Sequence, residues 1–146
     1  MIRALLALVL FSAMPAFAAA QENLVIVTET GSHTFKVEVA DDPDEQATGL
    51  MNRTEMARDA GMIFDFNPPR EPRMWMKNTF ISLDMLFIGQ DGTILAIAQR
   101  TTPESLRIIS PGFPVRAVLE LNGGLTAELG IAPGDKVRHR IFPTQD

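Results

Sequence analysis

After residue 20, apolar and polar positions alternate through most of the chain, a period of two that predicts β-strands. "LVIVTE" (24–29) and "HTFKVEVA" (33–40) predict a hairpin joined through "TGS". "GMIFDF" (61–66) predicts a strand with Met62, Phe64 and Phe66 on one face. "VRAVLELN" (115–122) predicts a half-buried strand, with Val115, Ala117, Leu119 and Leu121 inward and Arg116, Glu120 and Asn122 on the other side. "DKVRHRIF" predicts the last strand, after a type II turn at Pro133-Gly134. The period breaks twice. Asp42 as cap, Pro43 in the first turn and Glu45 three after the cap predict a short helix ending near Gly49 to Met51. Asn122 is placed to cap a second helix, "GGLTAEL", that stops at Gly130. "NPPREP" and the proline-bearing 101–114 stretch read as loops. The pattern predicts a mainly β fold, a β-sandwich or partly closed, jelly-roll-like barrel with two short helices.

The segment "MWMKNTFISLDM" (74–85) reads as two strands around a turn at Thr79 to Ser82. That register sets Lys77 opposite Asp84, and a two-residue turn at Asp91-Gly92 sets Leu86 opposite Ile97, Ile88 opposite Leu95 and Asp84 opposite Gln99. One face then carries Met74, Met76, Leu83, Met85, Phe87, Ile94, Ala96 and Ala98, a core. The other carries Arg73, Trp75, Lys77, Asp84, Leu86, Ile88, Leu95, Ile97 and Gln99. So apolar a face must be covered by the rest of the domain, or by a ligand or partner.

Composition adds compartment and excludes classes. Arg3, the apolar run "ALLALVLFSAM" and the small-residue tail "PAFAAA" make Met1–Ala20 a secretory signal peptide, with cleavage after Ala18 or Ala20. The rival, a retained anchor, falls short of the roughly 20 residues a spanning helix needs, and Pro15 interrupts it. Residues 21–32 then form the first strand and turn, 33–142 a single β-rich domain, and 143–146 a tail. The expected location is periplasmic or secreted, with no stable membrane span after cleavage. The net charge is −5, and losing Arg3 makes it more negative. Such a chain is poorly suited to nucleic acid, where phosphate attraction dominates affinity. With no cysteine there is neither disulfide framework nor thiol chemistry.

"GLMNR", "GMIFDF", "WMKNT", "LDM", "VLELNGG" and "LGIAPGD" occur in the order and approximate spacing of the bacterial and archaeal domain of unknown function 192, which the chain resembles over residues 33–142. The resemblance implies a compact β-sandwich, often behind an export signal, with no established activity. It implies characteristic polar positions at Arg53, Lys77, Asn78, Asp84 and Glu120, beside Trp75. Ser82 stands where relatives often carry proline, and the 101–112 segment lacks the cysteines of some relatives, so no thiol role there transfers.

Three functions are then open. The first is recognition of a small ligand, a glycan or a protein by Trp75, Lys77, Asp84, Gln99 and Arg73, with Arg53, Asn78 and Glu120 in support. The second is an enzyme using Asp84 and Glu120 as acid and base on a glycan or peptide. The third is Cu(I) binding through the thioethers of Met74 and Met76, against which stands methionine's ordinary use as core filler. His33 and His139 lie in separate strands and make no metal motif, and no cofactor is expected. "NGG" (122–124) serves as a helix cap without a ligand.

Overall fold

The computed structural model describes residues 19–143. The segment 1–18 of the expected signal peptide and residues 144–146 of the tail lie outside the described residues. Seven strands, β1 (Gln21–Thr28), β2 (Gly31–Ala40), β3 (Ala60–Arg70), β4 (Leu83–Ile88), β5 (Ile94–Ala98), β6 (Val115–Asn122) and β7 (Lys136–Arg138), form one curled mixed sheet. Two short helices accompany them, α1 (Pro43–Thr48) and α2 (Leu125–Leu129). The strand order is β5-β4-β6-β3-β2-β1-β7, and only β2 and β3 run parallel. The partly closed barrel is thus the form observed. Its two edges meet at one end: Ile94 N–H donates to Asp135 C=O at 2.9 Å and Val137 N–H donates to Gly92 C=O at 2.8 Å. Such a seam leaves less open edge to pair with other chains.

Both faces of the sheet are apolar. The concave layer packs Leu24, Ile26, Phe35, Val37, Ile63, Leu86, Ile88, Leu119 and Leu121 with Leu125 of α2. The convex layer packs Met62, Phe64 and Phe66 of β3 with Leu83, Met85 and Phe87 of β4 and Val118 of β6. A cover built from the β2–β3 crossover, which holds α1 and Leu50, and from the 71–82 and 99–114 segments lies over this second layer. Burying both faces removes far more apolar surface from water than a one-sided sheet of this length could. Of the apolar second face expected for the β4–β5 hairpin, the domain itself covers Leu86 and Ile88, while Ile97 is half-buried and Leu95 stays exposed.

The first predicted helix forms as read. Asp42 Oδ1 accepts from Glu45 N–H at 2.8 Å, Pro43 is in the first turn, and Gly49 ends the helix. The return bond from Glu45 lands one residue earlier, on Asp41 N–H. The β1–β2 turn is tighter than expected, since Thr28 pairs with Gly31 and only Glu29 and Thr30 remain in the turn. Gly134 at φ 99°, with Asp135 N–H donating to Ala132 C=O, satisfies the expected type II turn. Leu86 pairs with Ile97 as expected, but a bulge beyond Phe87 pairs Ile88 with Ile94 rather than Leu95. Residues 89–93 close that connection, so Asp91-Gly92 is part of a wider turn.

Residues 74–78 are not a strand of the sheet, and this corrects the register expected for them. β4 pairs with β5 and β6, leaving no free edge for a third partner. Instead Met74 bridges Ile109 through two backbone bonds of 2.9 and 2.8 Å, and Met76 N–H donates to Ser105 C=O. Asn78 adopts φ 52°, which turns the chain away before Thr79. Asn122 does not cap α2 either: Gly124 holds that position, and Asn122 Nδ2 donates to the carbonyls of Met56 and Ala57.

Candidate functional site

Asp84 is fully buried on β4 and takes over the cap that Asn122 was expected to supply. Its Oδ1 accepts from the backbone N–H groups of Arg100 (2.8 Å) and Gly124 (2.9 Å). Its Oδ2 accepts from Thr126 N–H (2.9 Å) and Thr126 Oγ1 (2.6 Å). Burial pushes this carboxyl up, but the bonds from Thr126, Gly124 and Arg100 outweigh it and hold it below its usual range. Asp84 therefore pins the start of α2 and the end of β5 to β4. Lys77 makes no ion pair with it. That lysine is exposed, and its Nζ lies 5.1 Å from the Trp75 ring centre. Gln99 reaches the same cluster at its edge, with Nε2 donating to Thr126 Oγ1 at 3.3 Å.

Glu120 behaves differently. On β6 it lies between Met62 of β3 and Met85 of β4, on the convex face and only 4 % exposed. Among the described residues no side-chain hydrogen bond or ion pair reaches it. Burial alone raises its pKa to about 8, so at neutral pH it is mostly a carboxylic acid able to donate a hydrogen bond. Asp84 is opposite Leu121, one position off, so the two carboxyls point to opposite faces of the sheet. The expected acid and base pair is thereby undone.

Glu120 and Phe64 form the floor of a cleft of about 570 Å³. One wall is α1 and the following turn, with Gln46, Thr48 and Met51; the other carries Arg70, Arg73, Met74, Trp75 and Thr79. Trp75 is 42 % exposed at this rim and Arg73 is exposed beside it, without a protein partner among the described residues. Arg70 lies 4.3 Å from the Phe66 ring centre and donates to Gln46 Oε1 at 3.2 Å. A volume of this size, with apolar and aromatic walls and a few converging polar groups, is typical of small-ligand sites. Glu120 is the one acidic side chain among the lining residues.

Of the residues singled out from sequence, Arg73, Trp75 and Glu120 meet at this cleft, with Lys77 stacked behind Trp75. Asp84 and Gln99 are elsewhere. Arg53 forms a two-pronged pair with Glu38, Nη2 to Oε1 at 3.0 Å, and clamps the cover to β2. Asn78 serves the turn, its carbonyl accepting from Asn52 N–H at 2.8 Å. Met76 is wholly buried and its sulfur accepts from Thr101 Oγ1, while Met74 lies at the cleft wall. The two thioethers thus have different surroundings, a core and a rim. The α1 wall, Met51 and Arg70 were not legible as site residues. Nothing local marks them, because the parallel β2–β3 crossover brings α1 and Met51 over the sheet, beside Arg70 at the end of β3. Asp41, Asp42 and Glu45 form an exposed acidic group, but Asp42 and Glu45 are engaged in capping α1.

Among the described residues no helix is long and apolar enough to cross a membrane. Residues 25–139 match the family described as "Uncharacterized ACR", domain of unknown function 192. Two crystal structures are similar. A protein of Sinorhizobium meliloti 1021, described as a "putative transcription regulator", is 46% identical with a TM-score of 0.81, covering 84% of this chain and 96% of that one. A protein of unknown function from Novosphingobium aromaticivorans DSM 12444 is 41% identical with a TM-score of 0.82, covering 88% of this chain and 91% of that one. No curated protein matches the chain.

Proposed function

The chain belongs to the domain of unknown function 192 family, and we propose that it is an exported recognition module that binds a small ligand in the Glu120 cleft. The observation that carries this reading is a glutamate, 4 % exposed as a residue, whose carboxyl has no protein hydrogen-bond partner among the described residues and lines a 570 Å³ cleft. The carboxyl borders the cleft, so a ligand accepting its proton would give it the partner that no protein group supplies. Trp75 offers a flat face for a sugar ring or planar group. Arg73 offers a fork for a carboxylate or phosphate at the other end of the ligand. Export rests on Met1–Ala20, whose short apolar run and small-residue tail support cleavage after Ala18 or Ala20.

Binding ranks above catalysis for a chemical reason. Hydrolysis by a carboxylic acid needs a second group to activate water or attack, commonly another carboxylate roughly 5–10 Å away. Glu120 has no acid, histidine, cysteine or serine beside it in the lining. A ligand-bearing envelope glycan or short peptide fits the combination of indole, arginine and neutral acid.

Screening fragments of envelope glycans and peptides by amide chemical-shift changes tests the reading. Binders should perturb residues 48–51, 73–76 and 120, and Trp75→Ala should weaken them at least tenfold while leaving the thermal midpoint within a few degrees. Hits that survive Trp75→Ala unchanged, or a screen whose hits all fall outside this cleft, would sink the proposal.

A further inference from the structure

A second cleft, of about 370 Å³, opens between the end of β5 and the 101–110 segment. Its polar lining includes Arg100, Thr102, Ser105, Arg107 and Ser110, and no carboxylate lines it. The chain has 18 acids to 13 arginines and lysines, and four arginines are matched by carboxylates: Arg53 with Glu38, Arg58 with Glu128, Arg116 with Asp65, Arg140 with Glu22. Arg70, Arg73, Arg100, Arg107 and Arg138 have no such partner among the described residues, and Arg100 and Arg107 share one cavity that no acid lines. Neither guanidinium has an ion pair or a side-chain hydrogen bond among the described residues.

We propose that this cleft binds a phosphate-type oxyanion between Arg100 and Arg107. The hydroxyls complete a donor set: Ser105 Oγ accepts from Arg107 N–H at 3.2 Å, so its proton remains free to donate, and Thr102 Oγ1 has no partner among the described residues. Ser110 Oγ is instead committed to Glu71 at 2.9 Å. Two forked guanidiniums and two hydroxyls match a tetrahedral anion, which offers several acceptor oxygens, better than a flat carboxylate.

The backbone fixes part of this arrangement. Arg100 adopts φ 49°, and its N–H is held by Asp84 Oδ1 at 2.8 Å. Its guanidinium lies across Gly124, where a Cβ would come 2.9 Å from Nε, so a residue without a side chain is what admits it. Asp84, fully buried and satisfied, thereby positions the arginine without neutralising it. Leu106 (65 % exposed) and Ile108 (40 %) flank Arg107, so the anion could be a free phosphate or a phospholipid headgroup whose chains meet that apolar rim. The two sources share one chemistry.

The test uses protein purified from cells expressing the full chain, titrated at fixed ionic strength with inorganic phosphate against chloride, and sedimented with phosphatidylglycerol or phosphatidylcholine vesicles. Phosphate binding weakened at least tenfold by Arg107→Gln and by Arg100→Gln, but unchanged by Lys36→Gln on β2, assigns the site to a free anion. Failure to bind phosphate, with phosphatidylglycerol-specific sedimentation lost in Arg107→Gln, assigns it to a headgroup. Circular dichroism of Arg107→Gln, a change on an exposed segment, should match the parent. The proposal is overturned if neither probe binds, if binding survives both arginine replacements, or if Lys36→Gln weakens it equally.

Discussion

Glu120 faces two methionines across its ladders, and that environment makes its protonation a stability switch. Its pKa moves from an ordinary 4.5 to about 8 in the folded protein. Between those values the folded state holds a proton that the unfolded chain has released, so stability is full below pH 4.5 and declines as pH rises through 8. The loss across that window is on the order of 4 kcal/mol. Urea midpoints of the parent should fall from pH 5 to 9 by that order, while Glu120→Gln, which cannot ionise, should lack this component. Equal slopes for the two proteins would place the carboxyl in a wetter setting than the cleft floor. Asp84 shows the opposite balance on the neighbouring strand. Its two oxygens each accept two bonds, so Asp84→Asn would turn an NH₂ toward two donors and lose both. A loss of ~3–5 kcal/mol is expected in urea unfolding at neutral pH, since the variant leaves buried donors facing a donor. Because its carboxyl lies below the usual range, the Asp84 contribution should persist above pH 4 and disappear only as pH falls through that lowered value.

Local pattern carried the hairpins and α1, because adjacent strands and helix caps are settled by neighbours in sequence. Leu86 opposite Ile97 follows from turn chemistry and alternation alone, and Asp42, Pro43 and Glu45 act within one helical turn. The 74–78 stretch was misread for the same reason. It alternates like a strand, but β6, more than 30 residues away in sequence, takes the edge of β4 that a hairpin partner would need. Glu120 was legible as a polar position on the outer face of β6. That this face would be covered was not, since the cover arrives through the parallel β2–β3 crossover. Arg116 illustrates the point: its assigned outer side is right, yet it is half-buried against Asp65 of β3 rather than in open water. The contact between β3 and β6 has its own tight point at Gly61. A Cβ there would lie 2.6 Å from the carbonyl oxygen of Glu120 and 2.8 Å from Leu121 Cδ2. Because backbone cannot yield as a side-chain tip can, Gly61→Ala should cost ~1–3 kcal/mol. It should also shift the Glu120 amide resonance, as the strands part beside the cleft floor. An unchanged thermal midpoint would mean that the two strands sit farther apart than this.

The molecule is built from a sheet with two apolar faces, one closed by its own curl and α2, the other by a cover made mostly of irregular chain. Both clefts lie at this cover: one between α1 and the 70–79 segment, the other between the end of β5 and the 101–110 segment. The cover holds itself together through Met74 with Ile109, Met76 with Ser105, and Glu104 with Thr79, whereas Thr101 with Leu83 ties it to the first residue of β4. β3 and β6, by contrast, are hydrogen-bonded on both sides at the centre of the sheet. Segments with few backbone links to the rest open with smaller free energies than central strands. Amide exchange should therefore protect Ile63 and Leu119 to the global unfolding limit, and Met74, Met76 and Ile109 less. A ligand in the Glu120 cleft should slow exchange at Met74 and Met76 without moving Ile63, because a bound molecule stabilises the closed cover by its own affinity. Phosphate in the second cleft should act instead on the 101–109 amides. If Met74 and Ile109 exchange as slowly as Leu119 without any ligand, the cover opens only with the whole domain, and binding at either cleft would raise every protection factor together.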